Sequence, residues 1–389
     1  MKKNKAKILL CESSSRQVLP MAKAFAKLGF DVVTVQGKRS DLGAITRYAS
    51  KKIVVQGVDD DYDTAYSFYK SILEQGEYDL AVPLSDFSAG ILAGLKKEIE
   101  EKTKTKIATN DEYIFSLASD KLNTMKVCME NGIPCPHTFD EISSYKDIPE
   151  SVSYPLLIKP RISCGSIGLH IADNRDELEK YIEKSKNEAN GEILVQEFIP
   201  QTGKQYNGHF FIDENGEAKM ALISQKCRWF PLDGGAATMC VTLHHEHIQN
   251  MCLRLLNIIG WRGYCDIDMM EDPRDGSIRI IEINARISAN VKLCFAAGID
   301  VARLLAELYL GNGVSNCLEY PDNICLRCIH TDLLWFIKSP ERFSSKPSWF
   351  KIKNTKDQIF SFTDPVPFIT FSVSSLFKYK KEMKKRERK

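Results

Sequence analysis

Long apolar runs are missing from this 389-residue chain, and no stretch approaches the roughly 18 residues that a spanning helix needs. Nor does a secretory leader open it. Met1 to Lys7 is basic, but the apolar run that follows is only Ile8 to Cys11. Cysteine is sparse, with twelve residues scattered along the chain; Cys11, Cys128, Cys164, Cys240 and Cys265 each lie in or beside an apolar segment. That usage excludes a disulfide scaffold and predicts small buried thiols in a reduced, cytoplasmic protein.

Charge of one sign is lacking as well, since 53 basic residues face 51 acidic ones. Eight of those basic side chains, with only two acidic ones, fall in Lys378 to Lys389, so the rest of the chain sums to −4. A body of that sign excludes general nucleic-acid binding, which rests on a basic footprint. No internal repeat is visible. With 43% hydrophobic and 27% charged residues, disorder, collagen and coiled coil are excluded. The length predicts two or three domains.

What is present begins with strands alternating with helices. Lys7–Cys11, Asp31–Val35, Ile53–Val55 and Leu80–Leu84 read as strands, and Val18–Leu28 and Tyr62–Leu73 as helices. This pattern predicts a small parallel sheet covered on both faces. A dinucleotide fold would place G-x-G-x-x-G after the first strand, but the chain has Glu12-Ser-Ser-Ser-Arg16. Those serines are expected to cap the next helix or hold an anion. Asp86 is expected at a strand C-end, as a ligand or as the cap of a helix over Phe87–Leu95. Lys96–Lys106 reads as a solvated face.

From Asp120 the chain turns mixed. A helix is predicted over Lys121–Asn131 and strands over Tyr154–Pro160, Leu169–Ile171 and Ile193–Ile199. Hairpins are expected from His209–Ile212 with Ala218–Ile223, and from Asp266–Met270 with Ile278–Asn284. Lys159 stands on a strand beside a loop holding Gly165, Ser166 and Gly168, whose amides could surround phosphate oxygens while the lysine supplies a point charge. The rival reading is a plain hairpin with an exposed lysine.

In the late hairpin, Glu282 and Asn284 are two residues apart and leave the same strand face, with Asp268 across from them. Two carboxylates and an amide oxygen make a hard oxygen shell suited to Mg²⁺ that also holds phosphates. Arg286 follows closely, and its fork could hold phosphate oxygens and offset charge on a moving phosphoryl group. His244, His245 and His247 lack the spacing of a zinc motif and read as a helix start. Cys325 and Cys328 sit on a likely strand, and Trp335–Trp349 reads as aromatic and loop-like.

Taken in order, Ser119-Asp-Lys121, Leu156-Leu-Ile-Lys-Pro160, Gly165-Ser-Ile-Gly168, Val195-Gln-Glu-Phe-Ile199, Tyr264-Cys-Asp-Ile-Asp268 and Ile281-Glu-Ile-Asn-Ala-Arg286 resemble the ATP-grasp superfamily, in its carbamoyl-phosphate-synthase-like or carboxylate–amine ligase branch. The resemblance implies an α/β domain over 1–109, a linker helix and lid over 110–192, and a nucleotide and Mg²⁺ subdomain over 193–315. A C-terminal extension over 316–377 and a basic tail over 378–389 would follow.

It further implies that Lys121 and Lys159 hold the nucleotide phosphates, with Gly165, Ser166 and Gly168 closing over them. Glu197, Phe198 and Ile199 would form the hinge that reads adenine. Asp268, Glu282 and Asn284 would bind Mg²⁺, for which Mn²⁺ could substitute, and Arg286, Lys226 and Arg228 would serve the reacting groups. Gln205 stands where the family often has a ribose-binding Glu, and Ala285 where it often has Pro.

The activity implied is an ATP-dependent ligase joining a small-molecule carboxylate to an amine through an acylphosphate. The alternatives are a carbamoyl-phosphate-forming or biotin-carboxylating enzyme and a degenerate nucleotide sensor. A homodimer is admitted as an assembly. Asp364-Pro-Val-Pro-Phe368 resembles a tail segment of ATP-grasp enzymes linked to bacterial surface-polysaccharide assembly. Phe371–Phe377 and the basic tail read first as a disordered solubilising tail, which would at most touch an anionic membrane transiently.

Overall fold

Alternate residues of the first strand serve two cores. The computed structural model describes residues 5–140, 142–161, 168–188, 192–232, 235–311 and 313–375. Its first unit runs β1 (Lys7–Cys11), α1 (Val18–Lys27), β2 (Asp31–Gln36), α2 (Leu42–Ile45), β3 (Lys51–Val54), α3 (Tyr62–Glu74), β4 (Leu80–Pro83), α4 (Asp86–Lys102) and β5 (Lys106–Ile107). The strands pair in parallel in the order β3-β2-β1-β4-β5. Ile8 and Leu10 point into a core shared with α1, while Leu9 and Cys11 point to the opposite core under α3 and α4. This period of two, buried on both sides, is what a covered parallel sheet requires.

Two local expectations change here. The serines do not cap α1. Ser13 donates its hydroxyl to the Leu10 carbonyl (2.9 Å) and its N–H to Val35, which ties the turn to β2, and Gln17 before the helix makes no side-chain cap bond. The cap of α4 is Ser85, in a reciprocal pair with Ser88, which leaves Asp86 as the first helical residue. Most of Lys96–Lys106 is the last turns of α4, with Ile99 buried on its inner face.

Next come α5 (Glu112–Ser119), α6 (Lys121–Glu130), β6 (Thr138–Phe139), β7 (Leu156–Pro160), β8 (His170–Ala172), α7 (Arg175–Glu188) and β9 (Ile193–Glu197). The four strands form a small antiparallel sheet in the order β6-β9-β7-β8. Leu156 and Ile158 enter its core beneath α7, with Leu178, Ile182 and Val195. Lys159 is therefore on the other face. Gly165 and Ser166 lie outside the described residues. Gly168 has φ +74°, and a Cβ there would meet Pro160 at 3.0 Å, so two constraints favour glycine.

The largest unit holds β10 (Gln205–Ile212), β11 (Ala218–Phe230), β12 (Ala236–Leu243), α8 (Glu246–Ile259), β13 (Gly263–Glu271), β14 (Ile278–Asn284), α9 (Lys292–Ala296), α10 (Val301–Leu310), β15 (Cys325–Arg327), α11 (Ile329–Lys338) and β16 (Thr355–Asp357). Its seven strands run β14-β13-β10-β11-β12-β15-β16, antiparallel except for the last pair. One face, with Tyr206, Phe210, Ile223, Ile267 and Ile283, packs on α5, α6 and α8. The far end of the other face, with Phe211, Leu222 and Tyr264, joins the core of the first unit.

The architecture is a small parallel-sheet domain, then a small lid-type sheet and a large mixed, mostly antiparallel sheet. The C-terminal extension is built into it, since β15 and β16 complete the large sheet. Trp335–Trp349 is also not all loop: Ile329–Lys338 is helix α11, burying Asp332 and Trp335 against β11. Cys11, Cys128, Cys240 and Cys265 are buried free thiols; Cys164 lies outside the described residues. Among the described residues, no helix is long and apolar enough to cross a membrane.

Candidate active site

The antiparallel register of the large sheet lines up one polar face. Asp268 pairs with Glu282 and Asp266 with Asn284; on the other side Asn207 pairs with Asp268 and His209 with Asp266. Gln205 lies opposite Lys226, and Asn207 opposite Ser224. Because side chains alternate, Gln205, Asn207, Lys226, Asp266, Asp268, Glu282 and Asn284 share this face, and the apolar residues between them take the other. Two-residue spacing in Asp266-Ile-Asp268 and Glu282-Ile-Asn284 is the sequence origin of the arrangement. A register irregularity after Asp268 sets Met269 opposite Ile280 and leaves Ile281 as the extra residue.

Cations meet these acids one by one. Lys226 Nζ is 2.8 Å from Asp268 Oδ1, which also accepts from Asn207 Nδ2 at 2.8 Å. Lys121 Nζ, at the start of α6, is 3.4 Å from Glu282 Oε2. Arg286 donates through Nη2 to Asn284 Oδ1 (3.0 Å) and through Nε to Asp86 Oδ2 (3.3 Å), with Nη1 4.0 Å from Asp266 Oδ1. Lys159 faces the same charges from β7; Glu282 and Lys121 both act on it. Thus all three units contribute, the first through Asp86 at the start of α4.

Burial works against ionisation of Asp268, but Lys226 and the Asn207 amide outweigh it and hold its carboxyl below the usual range. Asp266 goes the other way: burial pushes its carboxyl up to about 6 despite Arg286, and its Oδ1 finds no hydrogen-bond partner among the described residues. Lys159 is buried, which lowers it to about 8; Glu282 opposes the shift and Lys121 adds to it. Burial also raises Glu12 to about 8, where it follows β1 at φ +56° and contacts Ser85.

The set suits Mg²⁺ chemically: two carboxylates and an amide oxygen in one row, with a further buried acid oxygen that accepts no hydrogen bond among the described residues. Among the described residues no group of three His, Cys, Asp or Glu forms a metal cage. One or two carboxylates with substrate phosphates is instead the usual Mg²⁺ arrangement. The lysines now against Asp268 and Glu282 supply the cations that phosphates would need.

Other predicted residues are placed differently. Arg228 does not join the cluster. Irregularities on both sides of it in β11 let it turn into a buried pair with Asp332, so its guanidinium is already committed. Glu197 has its carboxylate between Arg274 (2.5 Å) and Arg279 (3.0 Å). Its N–H donates to His137 and that of Phe198 to Pro155, so those two amides are used within the protein. Ile199 lies just past the end of β9, which stops at Glu197. Gly203 presses on the end of β13, where a Cβ would come 2.0 Å from the Glu271 carbonyl oxygen. His245 caps α8 and His244 stacks on Tyr320, a helix start as expected.

Sequence reasoning missed Asp266 and Asn207, although Asp266 carried a signal in sharing the two-residue period with Asp268. Asn207 carried none, because its place is set by the β10–β13 register.

Residues 118–290 match the family model described as an ATP-grasp domain. That segment is similar to ATP-grasp domains. Over 320 residues it is 23% identical to a D-aspartate ligase of Enterococcus faecium, covering 76% of this chain and 74% of that one. Over 312 residues it is 25% identical to the C-terminal section of the carbamoyl phosphate synthase large chain of Methanopyrus kandleri, covering 75% of this chain and 56% of that section. It spans less than a third of several further carbamoyl phosphate synthase chains.

In fold, the chain is similar to the biotin carboxylase domain of the Hydrogenobacter thermophilus 2-oxoglutarate carboxylase. The TM-score is 0.70 at 17% identity, covering 82% of this chain and 73% of that one. That structure was solved with MgADP and bicarbonate. The cluster at Lys121, Asp268, Glu282 and Arg286 lies wholly within the matched ATP-grasp segment.

Proposed function

We propose that this chain is an ATP-dependent carboxylate–amine ligase working through an acylphosphate. The observation that carries the reading is the row of Asp268, Glu282 and Asn284 under Lys121, Lys159, Lys226 and Arg286. Such a row balances four cations against acids and can exchange its partners. Asp268, Glu282 and Asn284 would hold Mg²⁺, which would screen phosphate charge. Lys226 and Lys121, beside Asp268 and Glu282, would face phosphate oxygens.

Lys159, dry and short of counter-charge, gains most from an incoming polyanion. Arg286, fixed by Asn284 and Asp86, presents its fork beside the row and would offset charge on the phosphoryl group as it passes to a carboxylate. The amine then displaces phosphate to form the amide. Gln205 on the same face would donate to a ribose hydroxyl without a charge. No side-chain nucleophile is needed.

Release of ADP from ATP·Mg²⁺ is the test, run with pooled carboxylates and pooled amines, each omitted in turn, and with bicarbonate as a separate arm. Release that needs both an acid and an amine supports the ligase. Release with bicarbonate alone would replace it by a carboxylating or carbamoyl-phosphate-forming reading. No release in any pool, with ATP bound, would replace it by a nucleotide sensor.

Lys159 also predicts a pH profile. Its charged form is the one that attracts phosphate, so ATP affinity should be level below about pH 8 and fall by up to tenfold per unit above it. Lys159→Ala should weaken binding at neutral pH by about 10- to 100-fold and flatten the profile. Calorimetric titration from pH 6.5 to 9.5, flat in wild type, would remove the phosphate role.

A further inference from the structure

The geometry points to a membrane-docking face on the C-terminal extension, one that places exposed aromatic and aliphatic side chains from residues 333–373 against an anionic lipid surface. It is independent of the proposed reaction and lies outside the ATP-grasp segment.

The face is apolar where a protein surface should not be. Among the described residues, nine of the nineteen exposed large hydrophobic ones fall within residues 333–373. Phe362 is 90% exposed, Ile352 82% and Phe343 73%. Large exposed side chains at that density mark an interaction site rather than chance scatter. Both helices of the segment show it. In α11 the inner face is taken by Asp332 and Trp335, yet Leu333 and Ile337, one turn apart, face water. In the helical stretch 366–375, Phe371 packs against His330, whereas Val366, Ile369 and Val373 form a stripe on the solvent side.

The aromatic side chains fall into two contacting groups, neighbours in sequence. Phe336 touches Phe343, Trp349 and Phe350, with ring centroids 5.5, 4.5 and 5.8 Å away. Just beyond Phe350, Ile352 lines a shallow cavity of about 270 Å³ together with Phe360 and Phe368. Phe360 in turn meets Phe362 at 4.8 Å.

Charge decides what covers the face. Residues 333–389 hold fourteen basic and five acidic side chains, a net +9, against −7 for residues 1–332. Basic groups interleave with the apolar ones: Arg342 lies over Phe343 (5.5 Å) and Arg327 over Trp349 (5.3 Å), while Lys351 and Lys353 flank Ile352. A stable interface between two copies depletes lysine at its centre. Here lysine is threaded through the apolar surface. That mixture is what an anionic leaflet rewards, with apolar side chains entering the headgroup boundary and lysines staying at the phosphates. The +6 of Lys378–Lys389 follows in sequence and adds to the same attraction.

Flotation of the full chain with phosphatidylcholine vesicles, with and without phosphatidylglycerol, tests this. Wild type should partition into the anionic vesicles at least about tenfold more than into the neutral ones, and added salt should weaken it. Phe343→Ser/Ile352→Ser/Phe362→Ser keeps every charge and should cut the anionic partition about tenfold or more. Ile369→Ser/Val373→Ser should cut it too, and melting of both variants at the wild-type temperature shows that they are folded. Flotation of folded variants equal to wild type would overturn the face, leaving adsorption by charge alone. Absent flotation of wild type would also overturn it, including the case where light scattering finds a dimer that the triple substitution splits.

Discussion

Glu282→Gln should abolish ATP turnover, by on the order of a hundred- to thousandfold, while leaving the protein folded and able to bind nucleotide. Under the proposed reading Glu282 is one of two carboxylates in the oxygen row, and glutamine keeps its shape while halving the row's anionic charge. The substitution has a second consequence that a merely structural role would not produce. Glu282 opposes the downward shift of Lys159 and lies 3.4 Å from Lys121. Removing its charge takes counter-charge from Lys159, which should welcome a polyanion more, not less.

ATP alone should therefore bind as well as in wild type or better, and the gain in affinity on adding Mg²⁺ should shrink. The fall of affinity with pH should also begin below about pH 8, because the pKa of Lys159 drops further. Titration with and without Mg²⁺ measures all three. Undiminished turnover that still depends on Mg²⁺ would defeat the assignment of Glu282 to the metal.

Much of this row was legible in the sequence because a strand's period of two is a local rule. Glu282 and Asn284 had to share a face whatever their neighbours, and a hairpin turned at Asp275-Gly276 brings Asp268 across from them. The unbroken apolar run Ile8–Cys11, set among helical patterns, made the covered parallel sheet legible as well. What failed were predictions that depend on partners distant in sequence. Nothing near Arg228 announces Asp332, 104 residues on, and only irregularities in β11 turn that arginine away from Lys226. Nothing near Asp86 announces Arg286, 200 residues on; with Ser85 taking the cap, Asp86 can reach it. The strands β15 and β16, three residues each, are too short to show a period; β15 exists because β12 offers it an edge, and β16 because β15 offers the next.

Asp332→Ala should be the most destabilising single change outside the polar row, costing about 3–5 kcal/mol. The Asp332 carboxylate is fully buried and accepts two parallel bonds from Arg228, from Nε at 2.8 Å and Nη2 at 3.0 Å. Thr238 Oγ1 donates a third at 2.8 Å, and Arg327 stands 3.7 Å away. Arg228 is 1% exposed, lies 5.0 Å over the Trp335 ring and donates its remaining edge to the Pro347 carbonyl. Alanine at 332 would leave that guanidinium buried without an anion, and an arginine cannot neutralise itself by losing its proton.

Because this carboxylate ties α11 to Arg228 of β11 and Thr238 of β12, and Arg228 in turn holds the Pro347 carbonyl, the melting temperature should fall by about 10 °C. Proteolysis of the extension should begin first. Replacing both partners, Arg228→Met with Asp332→Leu, removes the stranded charge and should recover most of the loss, since a buried pair gains little over apolar groups of similar volume. Catalysis at low temperature should survive in the double variant, because Lys226 and Asp268 keep each other. Melting of Asp332→Ala within two degrees of wild type would show that the pair does not hold the extension.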